Sequence, residues 1–274
     1  MHTQRMPEPL RKPGWPPLPW RANLGACLLA LLCLLAITPA LASGLQVSPI
    51  LLEFSSTTQA QGLWLSNTGT QPLRAQVRVR AWTQGADGEQ LGDTSALVAS
   101  PAIVEIQPGK RQLVRIVRTG VADPGHEQAY RLLVNELPSA TPESSPGLRF
   151  LLEYSVPVFL LPAGTTPALE RTGPRKPADI SRLQARFQHL DGNRYQLNLV
   201  NGGNQRLRLS QLTHVDGKGH ATPLVPGLVG YVLAGAQMQW TLTLPAAAGT
   251  PGTLVARFND DRDEQPLPLP AAAR

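Results

Sequence analysis

The chain has 274 residues, 42% of them hydrophobic, and a formal net charge of +6, so it can bury a core, most comfortably as two domains. Its 25 lysines and arginines form no basic run of the kind that binds nucleic acid. Both cysteines, Cys27 and Cys33, lie near the amino terminus, which excludes a disulfide framework for the rest of the chain.

Residues 1–42 are predicted to be a secretory signal peptide. A basic segment precedes an apolar run at 24–37, which is too short to span a bilayer comfortably. Ala40-Leu41-Ala42 then forms a small-residue cleavage site. Cleavage near Ala42 leaves 232 residues with a net charge of +3, because the signal carries four basic residues and one acidic residue. An uncleaved membrane anchor is the alternative, although no stable membrane insertion is expected after cleavage.

A first β-sandwich is predicted for residues 43–163. Short β-rich runs recur there with turn signals between them, such as Asn67-Thr68-Gly69. About seven strands within about 120 residues are typical of a sandwich. The predicted strands cover 45–54, 62–65, 73–82, 102–106, 111–118, 128–137 and 148–161.

The last of these runs, LRFLLEYSVPVFLL, is the most informative segment of the chain. Leu148, Phe150, Leu152 and Tyr154 recur at every second residue, which puts them on one face of a strand. A long strand with an apolar face is an aggregation hazard at a sheet edge. It also suits a protein that lends a strand to another chain.

Residues 164–179 are a predicted linker, because 162–177 contain four prolines and no apolar periodicity. A second β-sandwich is predicted for 180–265, with residues 266–274 as a disordered tail. The fold class is therefore all-β with two sandwich domains. The strands expected in the second sandwich cover 183–189, 194–200, 207–214, 230–233, 237–244 and 252–258.

No motif for catalysis or metal binding is present. The sequence lacks the G-x-S-x-G, H-E-x-x-H, P-loop and G-x-G-x-x-G patterns. Four histidines are scattered after the signal, and the spacing of His214 and His220 matches no closed zinc pattern. We therefore expect no enzyme activity, no catalytic residue, no cofactor and no metal. The alternative of a catalytic site assembled from residues that are distant in sequence is left open by these patterns.

Between residues 45 and 258, seven segments follow one another in a recognisable order. They are LQVSPILLEF, LWLSNTGTQPLRAQVRVRAW, SPAIVEIQPGKRQLVRIVR, EQAYRLLVNELP, LRFLLEYSVPVFLLP, GYVLAGAQMQWTL and LVARFNDD. This ordered series resembles the periplasmic pilus chaperones of the chaperone–usher pathway, and the EQAYRLLV segment favours the archaic branch.

The resemblance implies two immunoglobulin-like domains arranged as an L and a location in the periplasm. It implies capture of pilus subunits with incomplete immunoglobulin-like folds by donor-strand complementation, and delivery to an outer-membrane usher. Leu148, Phe150 and Leu152 would fill the groove of the subunit, with Tyr154 as a possible fourth residue.

The sequence departs from the family at the two cationic positions that bind the carboxylate of the subunit. Leu51 and Pro157 occupy those positions here. Arg131 and Arg115 are the replacement candidates, because arginine binds a carboxylate through two hydrogen bonds. The alternative is that both are ordinary charges on the faces of the sandwich.

Two other functions stay open at this point. One is a secreted immunoglobulin-like adhesin or binding module without chaperone activity. The other is an exported hydrolase on a β-sandwich, which would need a convergent polar site. The sequence identifies neither the subunit and pilus served nor the oligomeric state of the free chaperone.

Overall fold

The structure, a computed structural model, describes residues 44–121, 123, 125–138, 151–173, 177–244, 252–259 and 261–270. The predicted signal peptide and the predicted groove residues Leu148 and Phe150 lie outside these ranges. Within them the chain forms seventeen strands and one 3-10 helix, Ala168–Glu170. Residues 43–274 form one structural unit.

The first sandwich has two sheets whose inner faces share one apolar core. The first sheet has the strand order β1-β3-β8-β6, and the second has the order β2-β10-β9-β4-β5, with β7 also paired to β4. The strands of the first sheet are β1 Leu45–Ser48, β3 Ala60–Asn67, β6 Leu97–Ser100 and β8 Arg111–Arg118. Those of the second sheet are β2 Leu52–Phe54, β4 Leu73–Gly85, β5 Gly88–Gly92, β7 Ile103–Ile106, β9 Gln128–Leu137 and β10 Glu153–Leu160.

Alternation of side chains determines which face of each strand is buried. In β9, Tyr130, Leu132 and Val134 are buried in the core, whereas Arg131 and Leu133 face outward and are half-buried. This period of two residues is the one that a strand imposes on its side chains.

The first predicted strand is divided between the two sheets. β1 runs antiparallel to β3 in the first sheet, and β2 runs parallel to β10 in the second. The chain changes sheets around Pro49, which follows a cis peptide bond. Because β2 has only three residues, it covers only residues 158–160 of β10.

The second sandwich combines the sheets β11-β12-β15 and β14-β13-β16-β17 around a separate apolar core. Leu197, Leu199, Leu209 and Phe258 are among its fully buried side chains. Its strands are β11 Leu183–Asp191, β12 Arg194–Asn201, β13 Leu207–Asp216, β14 Ala221–Val232, β15 Gln237–Thr243, β16 Gly252–Phe258 and β17 Gln265–Pro266.

Residues 266–270, which belong to the predicted disordered tail, pack against the second sandwich. β17 pairs with β16, and Leu267 is buried in the second core with Leu269 packed beside it. Apolar residues at every second position therefore anchor this segment to the second core. The remaining residues of that tail, 271–274, lie outside the described part of the chain.

The predicted linker is also partly ordered. It contains the 3-10 helix, and the backbone N–H of Ala168 donates to the carboxylate of Glu53 in β2. Near its other end, the N–H of Ala178 donates to Asp261 over 2.7 Å, and Ala178 packs against the second core. Both ends are thus attached to the sandwiches that the linker joins.

Candidate functional site

The candidate site is the unpaired edge of β10. β9 pairs with the full length of β10 on one side, from Glu153 to Leu160. On the other side, β2 pairs only with 158–160. In the part of the chain that the structure describes, no strand pairs with the outer edge of residues 153–157. That edge is available to a strand from another molecule.

Hydrogen-bond alternation identifies the groups at this edge. The N–H of Glu136 in β9 donates to the carbonyl of Leu152 over 2.9 Å, so even-numbered residues of β10 bond to β9. Odd-numbered residues point the other way, as confirmed at Leu161, whose N–H donates to Phe54 over 2.8 Å. Glu153 and Ser155 therefore each present an N–H and a C=O at the free edge. Pro157 presents only a C=O, because proline lacks the N–H.

The inner face of β10 carries the predicted groove residues that the structure describes. Leu152 and Tyr154 both face the core and are half-buried, and both pack against the first apolar core. The hydroxyl of Tyr154 donates to the carbonyl of Leu45 in β1 over 2.6 Å. Leu152 thus lies where the core opens toward the free edge, whereas Tyr154 is bonded within its own domain.

Arg131 lies on β9, one strand away from the free edge, on the outer face of the same sheet. It is directly opposite Pro157, and its guanidinium stacks 3.7 Å above the ring of Trp82. Glu89 is 3.9 Å away, and 16% of the Arg131 side chain is exposed. Burial lowers the pKa of Arg131, and the nearby Glu89 carboxylate opposes that shift. A partly desolvated guanidinium of this kind can bind a carboxylate.

Arg115, the second predicted anchor, lies elsewhere. It is on β8, where it pairs opposite Gly62 in β3 and Ser100 in β6, and it is exposed. This places it on the first sheet, whereas β10 belongs to the second. Of the two predicted anchors, only Arg131 therefore shares a sheet with the free edge.

Leu51 and Pro157 occupy the two positions at which the resemblance leads us to expect cations, and both have apolar surroundings here. Leu51 packs against a small cluster of Trp82, Phe159, Leu161 and Leu233. Pro157 is buried. A cation at either position would be drawn at least partly out of water, which is costly, so apolar residues are consistent with this packing.

A buried ion network joins the two sandwiches, and nothing in the sequence pattern predicted it. Arg206, just before β13, forms ion pairs with Glu53 of β2 and, over 2.6 Å, with Glu127 just before β9. Its guanidinium also lies 3.6 Å from the ring centroid of Phe159. All three charged side chains are largely buried, with Glu127 only 1% exposed. Burial raises the pKa of Glu127, and Arg206 opposes that shift.

Gln84 adds a second connection between the sandwiches. Its amide donates to the carbonyl of Tyr231 over 2.9 Å, and its amide oxygen accepts from the N–H of Leu233 over 2.8 Å. Tyr231 lies near the end of β14, and Leu233 directly follows that strand in the second sandwich. The orientation of the two sandwiches near Arg131 is therefore fixed by paired polar groups as well as by apolar packing.

Among the described residues we looked for features of a metal site or a membrane span. No three histidine, cysteine, aspartate or glutamate side chains among them cluster in a way that could hold a metal ion. His214 is buried, and His220 pairs with Asp216 at an exposed turn. No helix within the described ranges has the length and apolar character needed to cross a membrane.

Comparison with known proteins gives one family match. Residues 44–166 match the family described as pili and flagellar-assembly chaperone, PapD N-terminal domain. No sequence among the curated proteins matches the chain.

Several solved structures share the fold. One is the CsuC–CsuE chaperone–tip adhesion subunit pre-assembly complex from archaic chaperone–usher Csu pili of Acinetobacter baumannii, at 24% identity and a TM-score of 0.60, covering 82% of this chain and 97% of that chain. A second is the Salmonella enterica SafA pilin in complex with the SafB chaperone, at 19% identity and a TM-score of 0.55, covering 84% and 97%. A third is the Escherichia coli chaperone DraB, at 18% identity and a TM-score of 0.52, covering 84% and 98%. At these identities the similarity establishes the fold.

Proposed function

We propose that this chain, which belongs through residues 44–166 to the family of pili and flagellar-assembly chaperones, captures pilus subunits in the periplasm by donor-strand complementation. It folds and caps the subunits and passes them to an outer-membrane usher. The proposal includes export with cleavage near Ala42 and no catalytic step. Two of the solved relatives are complexes of a chaperone with a tip adhesion subunit or a pilin, which supports the same role for this fold.

The observation that carries the proposal is the free edge of β10. Glu153 and Ser155 direct backbone N–H and C=O groups outward with no described strand beside them. A subunit that lacks a strand has a matching row of unpaired backbone groups. Pairing the two edges satisfies both rows, at about 0.5–1.5 kcal/mol of net free energy for each hydrogen bond.

Apolar side chains supply the second part of the interaction. We assign Leu148, Phe150 and Leu152 to the groove of the subunit, because they alternate in the sequence and Leu152, the one of the three that the structure describes, packs against the first core. Each side chain that becomes buried contributes about 1.5–3 kcal/mol. The core of the subunit would then continue the core of the chaperone past Leu152.

Arg131 is the proposed anchor for the terminal carboxylate of the subunit. It lies opposite Pro157 on β9, one strand away from the edge where the strand of the subunit would pair. Its guanidinium is held on Trp82, so little side-chain entropy is lost when it binds. The weak contact with Glu89, at 3.9 Å, leaves hydrogen-bonding capacity for a carboxylate.

Co-expression tests the proposal. The chain is produced in a bacterial periplasm together with each pilus subunit that is encoded in the same genome as the chain. The complex is purified through a tag on the chain. Wild type should retain a soluble subunit, and Phe150→Asp with Leu152→Asp should retain none, because a buried unpaired carboxylate is costly. Leu151→Asp is the matched control, since Leu151 is exposed on the opposite face of the same segment.

The outcome separates the candidate functions. An adhesin or binding module would leave each subunit to aggregate, with or without the substitutions. Equal subunit yield from wild type and the double aspartate variant, with circular dichroism showing both folded, would disprove the lending-strand assignment.

A further inference from the structure

Tyr154 makes a contact that groove filling does not explain. Its ring lies at the open side of the first sandwich, and its hydroxyl donates to the carbonyl of Leu45 over 2.6 Å. Tyr154 belongs to the second sheet, and Leu45 is the first residue of β1 in the first sheet. The hydrogen bond therefore crosses from one sheet of the sandwich to the other.

The carbonyl that it reaches is itself at a free strand edge. The N–H of Thr68 donates to Gly44 over 2.8 Å, so Gly44 is the residue bonded to β3. Leu45 is the next residue, and its N–H and C=O consequently point away from β3. β1 is the last strand of its sheet in the described part of the chain. The hydroxyl of Tyr154 thus satisfies a carbonyl that no described strand pairs.

We propose that Tyr154 is a positioning residue of the capture surface, which holds the free edge of β1 at a fixed place relative to the free edge of β10. The inference rests on the proposed function. A strand added to residues 153–157 extends the second sheet, and β1 is the neighbouring edge across the sandwich. The separation of these two edges determines the width of the opening that the core of a subunit must fit.

Fixing that width favours capture by preorganisation. β1 has only four residues and is paired on one side, so it gains little rigidity from its own sheet. The hydrogen bond removes freedom of β1 before the subunit arrives, which lowers the ordering cost of binding. The bond also becomes less accessible to water once the opening is filled, and this strengthens it in the complex.

The test compares Tyr154→Phe with a matched control, Thr68→Val. Tyr154→Phe keeps the ring and removes only the bond to Leu45. Thr68→Val removes a hydroxyl that donates over 3.1 Å to the carbonyl of Gly44, the neighbour of Leu45, within the first sheet. The probe is the pilus subunit that wild type retains in the co-expression test. The readouts are its dissociation rate and hydrogen exchange at Gln46, the residue of β1 whose N–H points to β3.

We expect the subunit to dissociate about tenfold faster from Tyr154→Phe than from wild type. Gln46 should also exchange faster in free Tyr154→Phe, whereas Thr68→Val should release the subunit at the wild-type rate. Equal dissociation from both variants, or slower dissociation from Tyr154→Phe, would overturn the positioning role. A wild-type chain that retains no subunit would instead overturn the proposed function on which this inference rests.

Discussion

Replacing Arg206 should strongly destabilise the protein. Arg206 is the cation of the buried network between the sandwiches, where it contacts Glu53 and, over 2.6 Å, Glu127. Methionine has a similar length and no charge, so Arg206→Met preserves packing on Phe159 but leaves two carboxylates without a buried cation. The guanidinium is the group that distinguishes the two side chains.

The expected loss is about 3–5 kcal/mol of unfolding free energy, the range measured when one partner of a buried pair is removed. We expect the lower half of that range, because backbone donors remain. The N–H of Ala168 still donates to Glu53, and the N–H of residue 206 still donates to Glu127 over 3.1 Å. Such a loss is a large fraction of the about 5–15 kcal/mol that stabilises a typical protein.

Denaturant unfolding provides the measurement, with two comparison variants. Arg194→Met removes an exposed pair with Asp191 and should cost at most about 1 kcal/mol. Arg206→Met combined with Glu53→Gln and Glu127→Gln removes the uncompensated charges and should recover most of the loss. If Arg206→Met costs no more than Arg194→Met, the reasoning about the buried network is wrong.

Two further predictions concern Arg131 and Glu127. Arg131→Ala should weaken subunit binding by about 2–5 kcal/mol in a titration, whereas Arg115→Ala should bind like wild type because Arg115 lies on the other sheet; equal affinities of the two variants would contradict the anchor. Burial raises the pKa of Glu127 above its ordinary value of 4.5, so its contribution to stability is present below that value and is lost as pH rises through the raised pKa. The stability of wild type relative to Glu127→Gln should therefore fall as pH rises above 4.5, and a constant difference in unfolding free energy would refute the assignment.

Alternation within single strands made the fold class predictable from the sequence. The β-rich run at 128–137 and the alternation within 148–161 indicated strands, and the ordered series of segments indicated the chaperone family. The all-β fold of two immunoglobulin-like domains and the family resemblance are both confirmed. The split of 45–54 into β1 and β2 was not predictable, because it depends on which distant strand each half meets. β5 was missed because its residues are mostly exposed and polar.

The site was only partly accessible to sequence reasoning. The apolar alternation identified the lending strand, since the signal is contained in one segment. The network of Glu53, Glu127 and Arg206 was missed because its members are separated by more than 70 residues and each sits at an ordinary position in its own strand or loop. The stacking of Arg131 on Trp82 was missed because the two residues belong to different strands, β9 and β4. The domain boundaries and the roles of the site residues stay predictions.

Residue-resolved hydrogen exchange at the edge of β10, with and without bound subunit, tests the central claim most directly. In the free protein, the amides of Glu153 and Ser155 should exchange rapidly, because they point to the free edge, while those of Tyr154 and Val156 bond to β9 and exchange slowly. Subunit binding should slow exchange at Glu153 and Ser155 strongly and leave the other two little changed. If Glu153 and Ser155 exchange at the same rate in the free protein and in the complex, no strand is added at this edge and donor-strand complementation by β10 is contradicted.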